Sequence, residues 1–189
     1  MTRSVLIAGV GNLFLSDDAF GVEVVRRLAD DVFPEGVTVA DFGISGVHLA
    51  YELLGGYDTT ILVDAVPRGE QPGTVHVLEL APEDRRAAAP SLDDAVRAGA
   101  FVDAHGMEPQ QVFALLEVLG GGASRVFVVG CEPVTVEEGM GLSEPVAGAV
   151  DGAVRVVREL VAGEMGGEGP HDIEIQEVSR AGGPRETEG

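Results

Sequence analysis

The chain predicts a single three-layer α/β domain, a mainly parallel twisted sheet with helices on both faces. Three observations predict it. Short, almost wholly apolar runs recur along the chain, as strands buried on both faces require. Segments with apolar residues at helical spacing alternate with them, the pattern of a parallel sheet covered on two sides. The chain has 189 residues, 45% of them hydrophobic, enough for one full-sized core.

The elements follow in order. "SVLIAGV" (residues 4–10) is a continuous apolar run ending in Gly9 and Val10, and reads as a buried strand. "AFGVEVVRRLADD" carries Val24, Val25 and Leu28 at helical spacing. Ser16, Asp17 and Asp18 precede it, where acceptors and negative charge suit a helix N-terminus. "GVTVADFG" is a second strand, and "GVHLAYELLGG" a helix stopped by Gly55 and Gly56. "TTILVDAV" is a third strand. "GTVHVLEL" alternates, the pattern of a strand with one wet face. Residues 81–101, rich in Ala and Pro, read as a loop with one short helix. "EPQQVFALLEVLGGG" is a helix with Pro109 in its first turn. "SRVFVVGC" is another buried strand, and a long last helix starts at Ser143 as N-cap with Pro145 just inside. Residues 1–162 form the domain; residues 163–189, rich in Gly and Glu, read as a disordered acidic tail.

Composition removes several function classes. A formal net charge of −20 repels nucleic acid and attracts cations and basic segments. The one cysteine, Cys131, allows no intrachain disulfide and suits a reducing compartment. The opening apolar run is too short for a signal peptide, and no stretch has the length of a membrane span, so the expectation is a soluble cytoplasmic protein. G-x-S-x-G and H-E-x-x-H are both missing, which disfavours ordinary serine hydrolases and zincins.

In parallel α/β sheets the crevice lies beyond the carboxyl ends of the strands. The loops expected there carry Asn12, Asp17 and Asp18, then Asp41 and "GISG", then Asp64, then Cys131 and Glu132. His105 lies before the "EPQQVF" helix. Carboxylates with an imidazole suit a divalent metal such as nickel or zinc. Each residue also has a plainer reading: Asp17 and Asp18 as caps, Asp64 as a loop cap, His105 as a loop histidine, and Cys131 as a small buried hydrophobe. His76 reads as a surface or sheet-face residue, His48 as a capping or packing residue, and His171 lies in the tail. A dinucleotide turn needs G-x-G-x-x-G; here Phe14 stands at the third glycine, and Asp17 and Asp18 would repel a pyrophosphate.

Five blocks in order resemble the hydrogenase maturation proteases, the endopeptidases that trim nickel–iron hydrogenase large subunits. "GVGNLFLSDDAFGVEVVRRL" resembles that family's opening G-x-G-N…D-D/E…G-x-x-V signature. "DFGISGVHLAYELL", "TTILVDAVPRGEQPGTVHVL", "DAHGMEP" and "VVGCEPVTVEEGMGLSEPV" resemble its later blocks. The resemblance implies a phosphorylase/hydrolase-like three-layer fold and a site of Asp18, Asp64 and His105, shared between metal recognition and catalysis. It implies substrate contact near Gly43, Ser45 and Gly46, with Asn12 and Asp17 in support. The implied activity is removal of the C-terminal peptide of a hydrogenase large-subunit precursor after nickel insertion. The nickel would come with the precursor, and zinc is another divalent ion the site suits. The implied partner is that precursor, with neither nucleic acid nor membrane, and the chain is expected to be a monomer. A nucleotide- or NAD-binding α/β enzyme and a non-catalytic metal-sensing adaptor for the precursor remain the alternatives.

Overall fold

The structure is a computed structural model that describes residues 3–80, 125–166 and 175–178. Strand β1 (Val5–Val10) leads through a single 3-10 turn, Ser16–Ala19, into helix α1 (Phe20–Leu28). Strand β2 (Val37–Gly43), helix α2 (Gly46–Leu54), strand β3 (Thr59–Ala65) and strand β4 (Val75–Leu80) follow. Beyond them lie strand β5 (Arg125–Cys131), helix α3 (Glu144–Glu164) and strand β6 (Ile175–Val178). The predicted segments between residues 81 and 124, His105 among them, lie outside the described residues.

The strands form one sheet in the order β2-β1-β3-β5-β4-β6. Strands β2, β1, β3 and β5 are parallel, β4 runs antiparallel to β5, and β6 runs parallel to β4. Every residue of β3 is buried, as is β5 beyond Arg125. Their near-continuous apolar sequences are therefore those of strands covered on both faces. The two faces divide by alternation. Val5, Ile7, Ile61, Val63, Phe127 and Val129 pack with α1 and α3. Leu6, Ala8, Leu62, Val126 and Val128 pack with Leu49, Ala50 and Leu53 of α2. Among the described residues no helix is long and apolar enough to cross a membrane.

Two expectations need correction. Composition predicts a disordered tail from residue 163, yet within it Ile175–Val178 pairs with β4 from Val77 to Leu80. Composition reports whether a segment can bury a core of its own; it does not register that β4 offers an open edge whose backbone groups need partners. Of the two readings of His76, the sheet-face one holds, since it pairs with Gly130 across the ladder, and the surface one does not, since it is buried. Its phase explains this, since His76 shares a face with Leu78 and Leu80.

At the amino ends of the strands an ionic cluster closes the sheet. Glu164 of α3 accepts hydrogen bonds from Thr59 Oγ1 at 2.6 Å and from Arg125 at 2.6 Å, while Arg125 also pairs with Glu79. The carboxyl ends are built differently, through glycine. A Cβ on Gly21 would lie 2.1 Å from the Val63 carbonyl oxygen and 2.3 Å from that of Val10. Only glycine lets the first turn of α1 rest directly on β1 and β3.

Gly21→Ala is therefore expected to destabilise the fold by about 3 kcal/mol, the upper end of ordinary overpacking, because the clash is with backbone. Gly148→Ala on α3, where a Cβ meets nothing within 4 Å, is expected to stabilise it by about 0.5–1 kcal/mol. Urea midpoints at unchanged slope check both.

Candidate functional site at the carboxyl rim

The chain runs from β1 out to β2 on one side and then crosses back over β1 to β3 on the other. The gap between β1 and β3 is therefore a topological switch point, where open α/β sheets form their crevices. The β1–α1 loop opens on one side of it and the end of β3 on the other.

That loop is satisfied from within. Gly11 has φ +136°, and a Cβ there would sit 1.8 Å from the Asp18 carbonyl oxygen. The Asn12 amide donates to Asp18 Oδ2 at 2.7 Å, and the Phe14 amide donates to Asn12 Oδ1 at 2.9 Å. Asn12 thus shapes the loop through its side-chain oxygen. Amides that would face a phosphate in a nucleotide-binding turn are occupied here by the chain's own oxygens, which argues against the nucleotide reading.

Asp17 does not cap a helix; its side chain leaves the turn. Oδ2 accepts from the Val134 amide at 2.8 Å, the Thr135 amide at 3.2 Å and the Ser143 hydroxyl at 2.9 Å, while Oδ1 accepts from the Ser143 amide at 2.7 Å. The carboxylate is 0% exposed. Burial alone raises its carboxyl, but the bonds from Ser143, Val134 and Thr135 outweigh burial and hold it below the ordinary value of 3.8. Ser143 sits at the predicted N-cap of α3 with its hydroxyl turned to Asp17, and it makes no side-chain cap bond. Ser16, at φ 52°, completes the junction: its amide donates to the Gly139 carbonyl at 3.0 Å and its hydroxyl to that of Glu137 at 3.0 Å.

Asp18 is half-buried beside the switch point, on the turn that packs against β3. Asp64 is the penultimate residue of β3, inside the strand where the sequence suggested a following loop, and its Oδ1 accepts from the Ala65 amide at 2.8 Å. The two carboxylates therefore lie on adjoining elements at one rim. His105, the third predicted member, lies outside the described residues. The "GISG" segment reaches the same rim. Strand β2 bulges at Phe42, so that Val10 pairs with Gly43, and the Gly11 amide donates to the Gly43 carbonyl at 3.0 Å. Gly43 takes φ +52°, Ser45 caps the start of α2 by position, and Gly46 is buried. Ile44 between them is exposed, as a side chain meeting a substrate would be.

Two other rim groups serve the framework. Glu132 accepts from the Arg68 amide at 2.6 Å and the Gly69 amide at 3.2 Å, which anchors the loop between β3 and β4. Burial raises its carboxyl, and the Arg68, Glu70 and Gly69 amides lower it further than burial raises it. The Cys131 thiol is fully buried and pushed up to about 12, first by burial and then by Asp17 and Glu132. It is a core side chain rather than a nucleophile. His76 is the rim residue that the sequence understated: 6% exposed, with neither ring nitrogen hydrogen-bonded among the described residues. Burial and Arg68 lower its basicity, against Glu70 and Glu132. A recess bounded by Leu13, Glu23, Arg26 and Met140 lies outside α1 and shares no lining residue with Asn12, Asp18 or Asp64.

Fold and rim together define a three-layer α/β protein with two carboxylate-bearing elements adjoining at its switch point. A family model described as hydrogenase maturation protease matches residues 22–160. The hydrogenase expression/formation protein HupD of Rhodobacter capsulatus is 34% identical over 161 residues, 84% of this chain and 71% of that protein. A putative hydrogenase maturation protease of Methanocaldococcus jannaschii is 33% identical over 168 residues, 86% of this chain and 97% of that one. Among solved structures, the hydrogenase maturating endopeptidase HybD from E. coli matches with a TM-score of 0.66 at 24% identity, over 87% of this chain and 94% of that one. A hydrogenase 2 maturation peptidase from a Thaumarchaeota archaeon matches at 0.61 and 29% identity, over 85% and 99%. The chain belongs to the hydrogenase maturation protease family. The matched span takes in Asp64 and His105; the β1–α1 loop with Asn12, Asp17 and Asp18 precedes it.

The depressed Asp17 carboxyl sets a pH dependence. The folded chain keeps Asp17 ionised to lower pH than the unfolded chain does, so its stabilisation is complete above the ordinary aspartate range. It declines as pH falls below 3.8 toward the lowered value. Asp17→Asn is expected to cost about 2–3 kcal/mol at neutral pH, the range for hydrogen bonds to a charged group. The gap between variant and wild type should narrow as pH falls below 3.8, followed by urea unfolding at each pH.

Proposed function

We propose that this chain removes a C-terminal peptide from the large-subunit precursor of a nickel–iron hydrogenase once nickel is seated in that precursor. Asp18, Asp64 and His105 recognise the nickel, which arrives as part of the substrate, and recognition draws the scissile bond into the crevice. Gly43, Ser45 and Gly46 line the path of the peptide, with Ile44 exposed beside it. Asn12 and Asp17 hold the loop that carries Asp18. The single observation that carries this reading is the pair of carboxylates, Asp18 and Asp64, flanking the switch point in a chain of this family.

The chemistry asks for an electrophile and a base. The metal seated in the precursor would supply Lewis acidity toward the scissile carbonyl. A rim carboxylate takes a proton from water as its oxygen bonds to the carbonyl carbon, and it holds that proton for the leaving amine. The C–N bond then breaks, and the leaving amine takes up a proton. Discrimination between nickel-loaded and empty precursor needs only a few kcal/mol of differential binding, which two or three ligands supply. A strongly acidic chain of net charge −20 also attracts a cation and any basic segment around it. The family's substrate and the reading of the chain as a cytoplasmic monomer belong to the same proposal.

The test is processing of a matched precursor, loaded with nickel or empty, followed by mass spectrometry of its C-terminus. Loaded precursor should lose its C-terminal peptide and empty precursor should not. Asp18→Ala, Asp64→Ala and His105→Ala should each slow cleavage by about 100-fold or more, beyond the 10–100-fold expected for groups that only support a metal ligand. Equal cleavage by all three variants would remove the site. Complex formation with no change in precursor mass would identify a non-catalytic adaptor instead.

A further inference from the structure

We infer that Asp64 and His76, on either side of Gly130, form a divalent-cation pair, with His76 an imidazole donor at the rim beyond the Asp18–Asp64–His105 set. The inference deepens the metal recognition proposed above and rests on it for the ion's place in the reaction.

The register sets up the pair. Asp64 pairs with Gly130 across the parallel β3–β5 ladder, and His76 pairs with Gly130 across the antiparallel β4–β5 ladder. The three residues form one row across the sheet, so the side chains of Asp64 and His76 rise from the same face. Strands lie about 4.8 Å apart, which separates the two Cα atoms by roughly 10 Å, too far for one ion if the residue between them carried a side chain. Gly130 carries none, and the Val66 Cβ lies 3.1 Å from the point where a Cβ of its own would sit. The His76 ring lies across Gly130: Nε2 is 2.6 Å and Cδ2 2.9 Å from the point where a Cβ on Gly130 would sit. The imidazole therefore occupies its neighbour's place in the row, facing Asp64. Cβ positions of paired residues lie about 5 Å apart. An ion about 2.0–2.2 Å from nitrogen and from carboxylate oxygen spans the remaining gap.

The second observation is independent of this geometry. His76 is 6% exposed, and among the described residues neither Nδ1 nor Nε2 has a hydrogen-bond partner. A neutral imidazole has one donor and one acceptor nitrogen, and a buried ring that satisfies neither is destabilising to the fold. An apolar side chain of similar size would serve packing better. Imidazole nitrogen and carboxylate oxygen together suit zinc, nickel or cobalt. The nearby Glu132 is engaged with the Arg68 and Gly69 amides and serves the loop.

The test uses the full chain with Zn(II) and Ni(II) titrated calorimetrically, and Co(II) followed by its visible absorbance. His76→Met should fold with a melting temperature at or above wild type while losing at least tenfold in cation affinity and changing the cobalt spectrum. Gly130→Ala keeps the imidazole but fills its place, and should weaken binding in the same direction. His48→Met, on an exposed histidine of α2, should bind as wild type does. Wild-type affinity and cobalt spectrum in folded His76→Met overturn the inference; if that variant does not fold, wild-type behaviour of Gly130→Ala does. The precursor assay separates the two ideas. Unchanged cation binding by His76→Met alongside lost processing by Asp64→Ala removes His76 and leaves the proposed function standing. Lost cation binding by His76→Met alongside normal processing by Asp18→Ala, Asp64→Ala and His105→Ala keeps the pair and removes the proposed function.

Discussion

The Asp17 carboxylate takes four hydrogen bonds from Val134, Thr135 and Ser143, and through them the β1–α1 turn and the β5–α3 connection become one piece. Everything at the carboxyl rim depends on that junction. The next residue, Asp18, is set against β3 because Asp17 is pinned on the other side of the turn. Ser16 is held at a positive φ by bonds to Gly139 and Glu137 of the same connection. A fully buried carboxylate would ordinarily be costly, but here each oxygen is met by donors and the charge is retained.

Glycine provides the close approach that this junction needs. Gly9, Gly11 and Gly21 each face backbone or side-chain atoms where any Cβ would collide. They let α1 and its turn settle on β1 and β3 closely enough for a carboxylate from the loop to accept the Asn12 amide. The same glycine spacing in a dinucleotide-binding turn leaves amides facing an anion. Here the loop supplies its own anion, the Asp18 carboxylate that accepts the Asn12 amide. One sequence pattern thus serves opposite electrostatic ends, and the residues at positions 17 and 18 decide which.

Much of the fold was legible in local sequence. Strands β1, β3 and β5 announce themselves because burial on both faces demands near-continuous apolar runs, and "VLIAGV", "TTILVDA" and "RVFVVGC" supply them. Helix α3 was legible from Ser143, Pro145 and its apolar spacing. Strand β6 was not, because a short edge strand draws its stability from the open side of β4 rather than from its own composition. For the site, the order of the motifs singled out Asp18 and Asp64, and the structure sets both at one rim. The role of Asp17 was hidden, since its partners lie more than a hundred residues along the chain. His76 was understated because its face was read as wet, although its phase with Leu78 and Leu80 pointed inward.

The sequence by itself determined the alternation of strand and helix, the acidic balance, the loops that carry carboxylates, and the family. These are local or compositional properties, written in periodicity, turn residues and short motifs. Only the tertiary structure decided that Asp17 clamps two loops together while Asp18 accepts the Asn12 amide, and that an imidazole lies across Gly130 in the row that also holds Asp64. Those outcomes depend on register between strands distant in the chain and on donors arriving from separate loops. A carboxylate's role is set by what surrounds it in space, and neighbours in space are not neighbours in sequence.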